Sequence, residues 1–451
     1  MTILSKLLQP YSSAPSPRAK LHTALEQLAF VAACLHPFAL ILGTAAAEMT
    51  AGLVALCFLI ALVSGGLKPS PLTSHWRPVM VLMLLAWAWL FITTALSPVP
   101  QEADLGIALA WGRLIPLIAA LWLWLGSNPF YRYWISLTCL LAVSFVILDL
   151  FFQYMFGTSL FGVEPHNKAR MKASFNEPVV GFYLTHMAPL ALLVFCSPGF
   201  MKGRQRAYLL AALLVLLAAV FLSGERLFFA YTFLGCVLVA VSVFRWKAAF
   251  VLLVGLLLIA GLLAANPKFA HRYTTHTAKE FATMAQDLLE PTFRLESKGS
   301  YANNMKRGWQ ALNDRPLLGF GMMGFQGYCQ HYLKLDEDLV DRKYGCTSHP
   351  HHTWLNWGAT AGYPGIVIGL ILMAVLAIQI WRSAPGTAAG AEAYLSLRRA
   401  LLLWALIPIT SPLFISESFF VNFTELNFWF ALGVVAMWQN LPSSPGAQTL
   451  R

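Results

Sequence analysis

Residues 349–365 read HPHHTWLNWGATAGYPG. His349, His351 and His352 fill three of four positions, and an apolar run begins at Thr353. They close the one long polar segment of a chain that is otherwise almost continuously apolar. A titratable cluster where a polar loop meets an apolar helix points to chemistry at a membrane surface. The plainer reading is a set of amphipathic rings seated at the interface above a membrane helix. This stretch alone supports the two about equally.

The surrounding composition decides the class. Of 451 residues, 58% are hydrophobic and 11% charged, and the mean hydropathy is +0.63. Soluble domains carry roughly 25% charged residues, so this is a polytopic, all-α integral membrane protein. The net charge of +11 does not imply a nucleic-acid partner, because cytoplasmic loops of membrane proteins are enriched in Lys and Arg. The first 26 residues are polar and contain Pro and Ser, which predicts no cleavable signal.

A membrane helix needs about 20 mainly apolar residues. Twelve stretches qualify, near 27–47, 48–66, 77–98, 105–126, 132–157, 178–198, 206–223, 227–244, 248–266, 353–381, 398–419 and 425–440. Alternate connections carry the basic residues: Lys6, Arg18 and Lys20; Lys68 and Arg77; Arg132; Lys202, Arg204 and Arg206; Arg245 and Lys247; Arg382, Arg398 and Arg399. The opposite connections hold Glu48, Glu102, Asp104, Glu417 and Glu425. The asymmetry predicts that both termini are cytoplasmic. The chain then divides into helices one to nine (1–266), an extracytoplasmic loop with short helices (267–350) and the last three helices (351–451).

Some basic residues oppose that pattern. Lys168, Arg170, Lys172 and Arg226 fall on the outer side, and Arg113 falls inside the fourth helix. Misplaced cations near a bilayer are costly and tend to be functional. Lys168, Arg170, Lys172 and Arg226 suit an anionic ligand at the outer leaflet. The competing readings are lipid phosphates for the first three and a Glu225 partner or snorkelling for Arg226. Arg113 is expected to pair within the bundle.

The loop carries 11 Lys/Arg against 9 Asp/Glu, so it is no polyanion-binding tail. TAKEFATMAQDLL (277–289) and YANNMKRGWQAL (301–312) fit short amphipathic helices, and NDRPLLGFGMMGF (313–325) reads as a helix stop followed by a glycine-rich turn. Such a long segment is expected to pack as a lid over the helix ends. Its two cysteines, Cys329 and Cys346, would form a disulfide in an oxidising compartment; Cys34, Cys57, Cys139, Cys196 and Cys236 lie in or beside apolar runs.

Four histidines (His331, His349, His351 and His352) raise the question of a metal. Adjacent His351 and His352 point to different helix faces and no acidic residue completes a set, so no metal or other cofactor is expected. Acid–base work fits better. A histidine accepts a proton from an attacking hydroxyl, and arginines hold a phosphate leaving group through planar forks.

HHTWLNWGATAGYPG resembles the HNxxLxxxxxxGxxG signature of the O-antigen ligase and polymerase superfamily of bacterial envelope glycosyltransferases. His351 falls on the histidine, Leu355 on the leucine, and Gly362 and Gly365 on the glycines, while His352 replaces the usual asparagine. RPLLGFGMMGF resembles the PLxGxGxxxF element at Pro316, Leu317, Gly319, Gly321 and Phe325. LSGERLFFA resembles an SRGA-like element, with Arg226 on its arginine and Glu225 and Leu227 departing from it. ARMKASFNEPVVGFYL resembles the family's Arg-x-x-G-x-F-x-x-P-N segment, keeping Arg170 and Phe175 but with Ala173 or Ser174 where glycine is common.

The resemblance implies a GT-C-type fold and a metal-independent, inverting transfer from an undecaprenyl-pyrophosphate-linked glycan. It implies an active site facing the periplasm of the bacterial inner membrane, with membrane lipid around it. For a ligase the acceptor is the lipid A-core of lipopolysaccharide. His351 would activate or orient the acceptor hydroxyl, with His352 as the other candidate. Arg226 and Arg170 would bind pyrophosphate, and Lys168, Lys172 and Arg307 are further candidates. An O-antigen polymerase or a protein O-oligosaccharyltransferase would carry the same signature. A transporter would be expected to show internal repeats and helices broken near the midplane.

Overall fold

The structure, a computed structural model, describes residues 17–65, 77–100, 103–167, 169–196, 204–289, 301–333, 349–382, 391–410, 420 and 422–439. Among these residues there are helices and no strand. In chain order they are α1 (Pro17–Leu42), α2 (Thr44–Val63), α3 (Arg77–Ala95), α4 (Leu105–Trp111), α5 (Leu114–Ala119), α6 (Pro129–Phe156), α7 (Val180–Leu192), α8 (Arg204–Ser223), α9 (Arg226–Phe244) and α10 (Ala248–Ala265). The loop contributes α11 (Pro267–His271), α12 (Thr277–Leu289), α13 (Tyr301–Asp314) and α14 (Gly324–Gly327). Three long helices close the chain: α15 (Thr353–Arg382), α16 (Ala391–Thr410) and α17 (Asn422–Gln439).

Within the described residues each of the twelve expected stretches overlaps helix; residues 66, 197–198, 411–419 and 440 of those stretches lie outside the described residues. Among the described residues eight helical stretches are long and apolar enough to cross a membrane, one of them the 40-residue run Arg226–Ala265 that joins α9 to α10. Val180–Cys196 and Phe423–Trp438 are apolar but shorter. The protein is thus an all-α, multi-pass membrane protein.

Two of the shorter helices form its centre. Every residue of α7 is buried, as are residues 424–438 of α17. Helix α17 packs on α2, α5, α6 and α7. Helix α10 lies at the rim and buries only Ala248, Val251 and Gly255, as a lipid-facing helix should. Buried arginines close two helix ends. Arg132 donates to the carbonyl of Gly126, and Arg398 to that of Trp438 in the last turn of α17, where the helix dipole favours a cation.

The expected fourth span is broken into α4 and α5 between Trp111 and Leu114. Pro116 has no N–H to give the carbonyl of Gly112, so the regular ladder fails there. The break presents Arg113 to two carboxylates. Its Nε donates to Glu48 at 2.9 Å and its Nη2 to the same carboxylate at 2.5 Å. Glu425 of α17, 1% exposed, stands 3.6 Å from Nη2. Arg113 therefore pairs within the bundle and ties α2 and α17 to the break.

The two amphipathic segments of the loop form α12 and α13, and α13 packs on both α12 and α15. Cys329 is buried and disulfide-bonded, whereas Cys34, Cys57, Cys139, Cys196 and Cys236 are free thiols. Cys346 lies outside the described residues, as do Lys168, Lys68, Glu102, Lys202 and Glu417.

Candidate active site

Three arginines from three separate segments converge on one glycine. Gly224 links α8 to α9 with φ +74°, a conformation that L side chains rarely adopt. A Cβ there would stand 2.0 Å from the carbonyl oxygen of Ala169. The bare backbone lets the 157–179 loop lie directly on the turn, and Met171 donates its N–H to Ser223 O at 3.2 Å. This places Arg170 beside the turn that leads into Arg226. Arg272, in the π-turn between α11 and α12, donates from Nε to Gly224 O at 2.7 Å.

The Arg170 loop is itself held from α6. Gln153, 1% exposed, accepts from the backbone N–H groups of Lys172 and Ala173 at 2.9 Å each and donates to Val163 O at 2.8 Å. Asp149, fully buried, accepts from Leu160 N–H at 2.6 Å and from the Ser174 hydroxyl. Ala173 is held at φ 48°, in the left-handed region. Glu225 is buried too and accepts from the N–H of Gly181 at 2.6 Å, at the N-terminal end of α7 where a carboxylate is favoured.

Arg226 is engaged by the loop. It donates to Thr277 Oγ1 at 3.0 Å and to His276 Nδ1 at 3.3 Å, and it forms an ion pair with Glu280 of α12. Arg170 donates from Nη2 to Pro178 O at 3.2 Å, while its buried Nε has no hydrogen-bond partner among the described residues. Burial lowers the pKa of the Arg272 guanidinium, and repulsion from Arg226 and Arg170 lowers it further. Three like charges that repel across a part-buried node make an arrangement that could take an anion.

The histidines stand at the N-terminus of α15. The carbonyl of His352 accepts from Asn356 N–H at 2.8 Å, and its ring Nδ1 accepts from Leu355 N–H at 3.3 Å. His352 is thus the N-cap, and its imidazole does what an Asn side-chain oxygen does at the same position. His351 has φ 52°, and its ring packs on that of His349 with centroids 4.2 Å apart. Positive φ in a non-glycine residue is strained and tends to mark functional positions. His349 is buried at 8% exposure.

The glycines of the two loop motifs make a second joint. Gly362 interrupts α15 at φ 67°, and a Cβ there would lie 2.4 Å from Leu317 O. Pro364 lacks an N–H, so the carbonyl of Thr360 is free to accept from Gly321 N–H at 2.9 Å. Ala359 O accepts from Phe320 N–H at 2.8 Å, and Tyr363 N–H donates to Pro316 O at 2.7 Å. The loop also reaches α3, where Met322 N–H donates to Thr94 and the Ser97 hydroxyl to Phe320 O. These glycines dock backbone on backbone under the histidine helix.

The structure groups Arg170 with Arg226 and places His351 and His352 in different roles. Lys172 turns back onto its own loop, donating to Asn176 O at 3.1 Å. Arg307 is buried on α13, where it donates to Gln310 and lies near Tyr328 and Asp314. Its neighbour Gly308 would place a Cβ 2.7 Å from Pro350, so this turn of α13 lies against the segment that carries the histidines. Arg272, Glu280 and His276 were not singled out from the sequence. One signal for Arg272 was available: it follows directly on the ninth apolar span, where a cation meets the membrane surface.

No curated protein matches this chain. Residues 211–370 match the family described as O-antigen ligase, about a third of the chain. The match takes in Arg226, Arg272, Glu280, Arg307, both candidate histidines and both glycine joints, and begins after Arg170. Over residues 211–370 this membrane protein is similar to the O-antigen ligase family, consistent with a member of that family.

Proposed function

We propose that the protein is a glycosyltransferase of GT-C type that ligates O-polysaccharide to lipopolysaccharide at the periplasmic face of the bacterial inner membrane. The donor is the undecaprenyl-pyrophosphate-linked glycan and the acceptor a hydroxyl of lipid A-core. The observation that carries this reading is the node of Arg170, Arg226 and Arg272 at Gly224. A pyrophosphate diester matches three forks of fixed positive charge.

In the reaction His351 holds the acceptor hydroxyl and takes its proton as the oxygen attacks the anomeric carbon of the donor's first sugar. The bond from that carbon to the phosphate oxygen breaks, with inversion. Undecaprenyl pyrophosphate leaves, and the arginines carry its charge. Fixed guanidinium groups supply the electrostatic stabilisation, so the reaction is expected to run without a divalent ion. The geometry of α15 favours His351 over His352, because capping occupies the Nδ1 of His352. Arg307, buried near Tyr328 and Asp314, remains a further candidate for the donor's pyrophosphate. Lys168 and Lys172 remain outer cations for the donor's approach.

The acceptor is tested directly. Purified enzyme receives the lipid-linked glycan with or without rough lipopolysaccharide, in EDTA and without nucleotide. Ligation predicts a glycan ladder on lipopolysaccharide. Longer glycan on the carrier, with none on lipopolysaccharide, would identify a polymerase instead.

A further inference from the structure

The contact that occupies Arg226 is itself informative. Its partners His276, Thr277 and Glu280 all lie on one five-residue segment at the start of α12. A carboxylate offers an arginine fork the same two-oxygen edge as a phosphate. The pair is only part-buried, with side chains 21% and 41% exposed, and ion pairs of this kind hold weakly. Along α12, Ala278, Phe281, Ala282, Ala285 and Leu289 are exposed.

From this we infer that Glu280 is a displaceable counter-ion, which neutralises Arg226 in the empty enzyme and yields its place to the donor's pyrophosphate. The inference rests on the donor-site assignment above. The other charged and titratable groups around the node are Arg170, Arg272, Glu225, Tyr273 and His276. With Glu280 in place, two carboxylates face three guanidinium groups. Exchange of Glu280 for a pyrophosphate diester, which carries two negative charges, would set three negative charges against the three guanidinium groups. His276 is poised for the exchange. Its Nδ1 lies 3.3 Å from Arg226 Nη1 and 3.1 Å from Glu280 Oε1. One nitrogen cannot accept from the first and donate to the second in the same state, so the two contacts compete. Glu280 therefore sets donor affinity and shields the arginines from simple anions, which gain less on displacing it than a lipid-anchored diester does.

Full-length enzyme in detergent tests this through the donor KM and the inhibition constant of inorganic pyrophosphate. Both are measured for wild type, Glu280→Gln, Glu280→Asp and Arg226→Ala, and for Glu280→Gln combined with Arg226→Ala. Glu280→Gln is expected to lower both constants about two- to five-fold, which corresponds to ~0.4–1 kcal/mol. Glu280→Asp should move them less, and Glu280→Gln should have no effect once Arg226 is gone. A donor KM that rises or stays fixed in Glu280→Gln, while Arg226→Ala raises it tenfold, would overturn the counter-ion role and leave the donor site standing. An unchanged donor KM in Arg226→Ala would remove the donor site and the inference with it.

Discussion

Arg272 donates its Nε–H to the carbonyl of Gly224, the residue on which the Arg170 loop rests and from which α9 departs toward Arg226. One backbone position thus registers three cations that lie far apart in sequence. Gly224→Ala would drive a methyl into Ala169 O, 2.0 Å away, at a backbone φ that L residues rarely adopt. The expected result is a loss of at least ~2 kcal/mol of stability or a splayed site. Thermal unfolding and transfer rate should both fall in detergent. A variant with wild-type melting and turnover would mean that the joint is not needed.

Arg272 is predicted to bind donor. Arg272→Ala should raise the donor KM about tenfold or more, the worth of a charge-assisted hydrogen bond, with the acceptor KM unchanged. Equal effects on both substrates would assign Arg272 to holding the fold.

Arg113 is predicted to be structural. Arg113→Ala strands Glu48 and the buried Glu425 without their cation, a change that costs about 3 kcal/mol in buried sites. Glutamine at both acids should restore much of the loss. A melting temperature unmoved by Arg113→Ala would show that the cluster carries little.

Cys329 is buried beside Tyr328, whose pKa is raised by burial and by the hydrogen bond it donates to Asp314. The disulfide is expected to join Cys329 to Cys346, closing a short loop worth roughly 3 kcal/mol. Non-reducing peptide mapping should recover the two cysteines in one cross-linked species. Free thiol at Cys346 would exclude the pairing.

The helices were legible because lipid demands long apolar runs, and within the described residues the expected stretches overlap helix. The break at Arg113 was not, since Pro116 in an apolar run reads as a continuous helix until its neighbours are placed. The motif residues Arg170, Arg226 and His351 were visible in their patterns. The choice between His351 and His352 was not, because it depends on which ring caps α15. Arg272 and Glu280 sit in segments without a motif, and their roles arise from contacts across roughly 50 residues of chain. The glycines of the loop and signature motifs could be matched by pattern. Their purpose, backbone docking between Pro316–Gly321 and Ala359–Tyr363, needed the fold.

The most direct test of the account compares the two histidines. Transfer to rough lipopolysaccharide is measured at saturating donor in EDTA for wild type, His351→Ala and His352→Asn. His351→Ala should lose about 10²- to 10⁴-fold in turnover. His352→Asn keeps the helix cap and should stay within a few-fold of wild type. Near-normal turnover in His351→Ala, or collapse in His352→Asn with intact folding, would contradict the assignment of the acceptor site to His351.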